Sequence, residues 1–113
     1  MAFTTAGTVT RVQDRRQFQG LFSEMWTVTI AGADPASIAA GAEDVQTYTV
    51  PGLALGDIVL GASFNRDLTI DADMLWYVSA ANTLSVRINN HNAAAALDFA
   101  AGNFKVLVGR PAW

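Results

Sequence analysis

Residues 45–64, VQTYTVPGLALGDIVLGASF, constrain the fold of this chain more than any other stretch. Two β-rich runs flank a connection in which Pro51 fixes φ and cannot donate to a ladder, while Gly52 and Gly56 accept left-handed backbone. Asp57 can bond to nearby amides as the next strand begins. In the first run Tyr48 and Val50 share a face opposite Val45, Thr47 and Thr49. In the second, strict alternation puts Ile58, Leu60, Ala62 and Phe64 on one face and Val59, Gly61 and Ser63 on the other, the period of a strand lying over a core. The stretch reads as strand, corner, strand.

The rest of the chain repeats this vocabulary. Thr8 to Val12 makes a short strand that ends in the charged run Asp14, Arg15, Arg16. Trp26, Val28 and Ile30 alternate with Met25, Thr27 and Thr29 in a strand whose Trp26 is expected in the core. The small, turn-rich segment 31–44 is expected to cross an end of the sheet structure, with room for one helical turn over Pro35 to Ala40. Leu68 to Ile70 reads as a short strand. Met74 to Ala80 is apolar on both faces, with Met74, Trp76 and Val78 on one and Leu75 and Tyr77 on the other, so a crossing loop or a second copy is expected to cover its outer side. The turn Ala81-Asn82-Thr83 leads into Leu84, Val86 and Ile88, completing a hairpin. Phe104, Val106 and Val108 carry the last strand. The expectation is an all-β fold, an antiparallel β-sandwich of about seven or eight short strands in jelly-roll or Greek-key order. Residues 1–19 are expected to form an N-terminal arm and first strand, and 20–113 the sandwich domain.

Composition narrows the function. The chain has 113 residues, enough for one domain with a core of its own. It is 51% hydrophobic and 15% charged, against about 25% charged in ordinary domains, so apolar surface is expected to remain for a partner. No cysteine is present, which removes disulfides, thiolate metal sites and cysteine nucleophiles. A net charge of −3 fits nucleic acid poorly. No run approaches the roughly 20 apolar residues of a membrane span, and the start of the chain lacks the pattern of a signal peptide.

The sequence holds few groups of chemical interest. His91 is the only histidine, expected in an exposed loop. No serine has the setting of a nucleophile elbow, so an enzyme is not expected. Asp67, Asp71 and Asp73 lack the spacing of an EF-hand loop, and no metal or cofactor is expected. Arg11, Arg15 and Arg16 form a basic cluster that reads either as a solvated face or as a contact for an acidic protein surface. Leu75, Tyr77 and Trp113 are candidates for an interface between copies, although Trp113 reads equally as a free end.

Three stretches, TYTVPGLALGDIVLGASF, LWYVSAANTLSVRINN and LDFAAGNFKVLVGRP, resemble small structural proteins of tailed bacteriophages, in particular head decoration or cement proteins. The resemblance covers residues 43–110 and rests on turn and core positions. It implies a homotrimer added to the outside of the assembled capsid, bound to the major capsid protein, and therefore a protein made in the host cytoplasm and located in the virion. Arg11, Arg15 and Arg16 are then the capsid-contact candidates. The alternative expectation is a tail-associated receptor- or carbohydrate-binding module, with Trp26, Trp76 or Tyr77 as the sugar platform.

Overall fold

The computed structural model describes residues 21–113 in full and, of the preceding segment, the backbone of residues 3–4 and 8–11. The chain is all β. Six strands carry the architecture: β3 (Phe22–Ala33), β4 (Glu43–Thr49), β5 (Ile58–Phe64), β6 (Ala72–Ala80), β7 (Thr83–Asn90) and β8 (Gly102–Pro111). They form two three-stranded antiparallel sheets, ordered β4-β7-β6 and β3-β8-β5. Two short N-terminal segments pair at their margins: β1 (Phe3–Thr4) runs parallel to β4, and β2 (Thr8–Arg11) antiparallel to β3. The remainder of the expected arm lies outside the described residues. The chain changes sheet at every connection from β3 onward except the β6–β7 hairpin. The six principal strands are fewer than expected, and their order does not establish a jelly roll.

The central strands β7 and β8 supply the middle of the core. Leu84, Val86 and Ile88 from β7 and Phe104, Val106 and Val108 from β8 are buried, together with Trp26, Val28 and Ile30 of β3. Phe104 sits among three rings, with centroids 5.6 Å from Tyr48, 4.9 Å from Phe64 and 5.5 Å from Trp76. These edge-to-face contacts link both sheets through one side chain. The indole Nε1 of Trp76 is buried and has no hydrogen-bond partner among the described residues.

Two expectations fail for local reasons. The alternation of β5 is interrupted at Leu60, where the register with β8 jumps from Val59↔Val108 to Gly61↔Leu107. One extra residue at a bulge reverses the phase of everything after it. Val59, Ala62 and Phe64 therefore lie opposite core residues Val108, Val106 and Phe104, and Leu60 is left exposed. The expected strand Leu68–Ile70 is a turn. Thr69 has a φ of 60°; its amide donates to Asp67 Oδ1 at 2.9 Å and its hydroxyl accepts the Asp71 amide at 3.2 Å. Side-chain oxygens take amides that a ladder would have used. Leu68 still packs against the core, whereas Ile70 is 97% exposed.

The segment after β3 does cross an end of the sandwich, but without a helical turn. Ile38 is buried and exchanges backbone hydrogen bonds with Leu97. Asn90 holds the two loops together. Its buried side-chain Nδ2 lies within hydrogen-bond distance of the carbonyls of Ile38, Ala39 and Ala95, and its Oδ1 accepts from the Asn92 amide.

Candidate interaction surface

The corner between β4 and β5 closes as the sequence anticipates, and it positions one end of the molecule. Gly52 and Gly56 have φ values of 97° and 101°, which a side chain would resist. Asp57 accepts the Ala54 amide at 2.9 Å. Asn82, in the β6–β7 turn at φ 59°, accepts from the Val50 amide through its carbonyl and from the Gly52 amide through its side chain. Its own amide donates to Leu53. The corner is thereby tied to the hairpin of the same sheet.

Arg110 completes this end. Its guanidinium donates to both oxygens of Asp57 at 2.9 Å and to the Gly52 carbonyl at 2.9 Å, and it lies 4.7 Å from the centre of the Trp26 ring. The Asp57 side chain is only 2% exposed. Burial alone pushes its carboxyl up, but the Arg110 hydrogen bonds, the Ala54 amide and the guanidinium charge together outweigh it and hold the group below the usual carboxylate value. The bonds to Asp57 raise Arg110 in turn, against the opposing effect of burial.

Around this anchor, apolar side chains face outward. Gly109 lets β8 pass close beneath them: a Cβ there would meet the Phe22 ring at 2.7 Å and Leu60 at 3.3 Å. Trp113 rests against Phe22, with ring centroids 6.0 Å apart, yet stays 78% exposed. The Ala112 amide donates to Leu21, itself exposed. Leu55, 73% exposed, lines an open hollow of about 300 Å³ with Trp113, Pro111 and Arg110. The result is an apolar group of Leu21, Phe22, Leu55, Leu60 and Trp113 at one end of the second sheet. Of these only Trp113 stands out in the sequence. The corner holds two leucines, of which Leu53 is buried and Leu55 exposed, so its sequence does not mark Leu55; nothing local marks Leu60 either, which owes its exposure to the bulge.

The other interface candidates lie on the other sheet. Leu75 and Tyr77 point outward from β6, where Leu75 is 55% exposed and Tyr77 partly so. Arg87, opposite Leu75 in the ladder, bonds Glu43 at 3.1 Å and sits 5.6 Å from the Tyr77 ring centre. No described loop covers this face to the extent its composition led one to expect. Leu75 and Tyr77 thus form one surface and Trp113 belongs to another. Arg15 and Arg16 lie outside the described residues; the backbone of Arg11 ends β2 opposite Trp26.

The remaining chemical groups are dispersed. Among the described residues no cluster of three acids or histidines could hold a metal ion. Asp67 caps its own turn, Asp71 accepts the His91 amide through its carbonyl, and Asp73 pairs with the His91 ring. An open trough of about 490 Å³ runs over β8 between Thr27, Thr29, Gly61, Ser63 and Lys105, floored by Leu107. Trp26 is buried beneath Arg110 and Trp76 packs on Phe104, so neither ring offers an open platform for a sugar. The chain matches no family model, no curated protein and no solved structure at a significant level.

Proposed function

We propose that this protein is a structural subunit of a tailed-bacteriophage virion, which binds the outside of the assembled capsid shell, against the major capsid protein, and stabilises it. The observation that carries the reading is the apolar group of Leu21, Phe22, Leu55, Leu60 and Trp113, mounted on a corner braced by Arg110 and Asp57. Exposed aromatic and aliphatic side chains on a rigid support are the usual anchors of protein interfaces. The likeness of residues 43–110 to decoration proteins, set out above, supplies the partner.

Binding that selects the assembled shell lowers its free energy by mass action. A subunit at 100 times its dissociation constant contributes about 2.7 kcal/mol per site. Repetition over a shell opposes internal pressure.

Adding the purified protein to bare capsids tests the reading. Saturable, symmetric occupancy is expected, and decorated particles should keep their genome at higher temperature and through osmotic shock. Trp113→Ala combined with Leu55→Ser should weaken occupancy while leaving the fold intact. Stripped particles that survive heating and shock as well as decorated ones would defeat the proposal.

A further inference from the structure

The free edge of β6 is a pairing surface, and we infer that it joins a second copy of this chain, β6 against β6 in antiparallel register about a two-fold axis at Trp76. The outer strands of the two sheets differ in length and regularity. Strand β1 has 2 residues and β2 has 4. Strand β5 has 7 residues but carries the Leu60 bulge, which breaks a regular edge. Strand β6 has 9 residues, and its ladder with β7 runs without interruption from Ala72 to Val78. Among the described residues, no backbone group of β6 bonds outside its pairing with β7. Neither proline nor lysine guards this edge, and its outward side chains include exposed Leu75. Long apolar edges of this kind template the addition of another strand.

The sequence of β6 chooses the occupant. About a two-fold axis at Trp76, Leu75 faces Tyr77 of the second copy, Met74 faces Val78, Asp73 faces Ser79 and Ala72 faces Ala80. The outer face gains two Leu–Tyr pairs beside Arg87, and the inner face continues the two cores. Cross-strand pairs of this type stabilise a sheet. Charge sets the direction. Antiparallel pairing places the Asp71 and Asp73 carboxylates of the two copies roughly 20–35 Å apart, from a rise of about 3.4 Å per residue. That exceeds the Debye length of about 8 Å at physiological salt. Parallel pairing would set the same acids side by side. The two-fold contact also consumes both β6 edges, so the assembly closes as a dimer and not as the trimer implied by the resemblance.

The inference stands independently of the shell-binding proposal. Light scattering and native mass spectrometry of the intact protein at tens of micromolar should report a dimer. Leu75→Lys places a second cation beside Arg87 and should yield monomers whose circular dichroism and unfolding midpoint match those of the unmodified chain. Because the chain has no cysteine, register can be read by cross-linking. Under oxidation, Leu75→Cys mixed with Tyr77→Cys should form a disulfide-linked dimer, whereas each variant alone should not, since directly paired strand positions fall within disulfide reach. A monomer, a trimer, or Leu75→Cys cross-linking with itself would overturn the inference. Dimers that ignore bare capsids would instead sink the shell-binding proposal and leave this one standing, and monomers that decorate capsids would do the reverse.

Discussion

The corner at Arg110 and the outer edge of β6 both expose large apolar side chains, but they end in opposite states. At the corner the chain satisfies itself: Arg110 bridges Asp57 and Gly52 over Trp26, and Asn82 ties the loop to the hairpin. Its apolar residues are then held outward on a fixed base. At β6 the edge of the ladder is unpaired among the described residues, and the face is braced by the Ser79–Ser85 hydrogen bond, the contact of Arg87 with the Tyr77 ring and the exposed Arg87–Glu43 ion pair. Such a pair contributes about 0–1 kcal/mol. Internal bonding decides where this molecule is stable, and its absence marks where a second chain can add.

The largest effect should come from the residue on which both regions depend. Phe104→Ala removes the ring that touches Tyr48, Phe64 and Trp76, and should cost about 3–5 kcal/mol in denaturant titration. A smaller loss would mean the two sheets pack more independently than these ring contacts imply.

Arg110→Ala should come next, because it strands a buried carboxylate. Breaking a fully buried pair costs about 3–5 kcal/mol, and partial exposure of the guanidinium should reduce this to roughly 2–3 kcal/mol. By contrast with a β6 substitution, this loss should also appear at concentrations where the chain is monomeric.

pH separates the corner from the rest of the core. Asp57 titrates below its ordinary value in the folded chain, so its contribution is present above the unfolded carboxylate pKa of about 3.9 and is lost as pH falls through the lower folded value. Stability curves of the unmodified chain and Arg110→Ala should therefore converge below about pH 4. Tyr48 behaves in the opposite sense. Burial, assisted by Asp34, pushes its hydroxyl up to about 12; its contribution is full below the unfolded pKa of about 10 and disappears as pH rises through 12. Tyrosinate absorbance should show one of the two tyrosines ionising late, together with unfolding.

The smallest effect belongs to the open face. Leu75→Ala should change monomer stability by no more than about 0.5 kcal/mol, as for other exposed positions, while weakening self-association measured by sedimentation. A large loss in the monomer would show that the β6 face is part of the core after all.

Much of the corner was legible because its rules are local. Glycines at positive φ, an aspartate taking an amide and a proline outside the ladder act within a few residues of one another. Asp57 was legible as a cap, but its ion pair was not, because Arg110 lies 53 positions away and ends an ordinary strand. The Leu60 bulge escaped for a related reason: alternation read from β5 alone cannot show that Leu60 has no partner in β8, whose residues pair without a gap on either side of it.

The sequence by itself determined that this chain is all β, where five of the six principal strands lie along with half of β3, and which residues of β7 and β8 enter the core, because side chains in a strand must alternate. It also determined the turn at Asn82, where a short polar side chain tolerates left-handed backbone. Only the tertiary structure decided the neighbours. The separation of Trp113 from Leu75 and Tyr77, the assembly of Leu21, Phe22, Leu55 and Leu60 around Gly109, and the choice of β6 as the long free edge all follow from which strands pair. That pairing is set by burial summed over two whole sheets, a quantity that no local pattern contains.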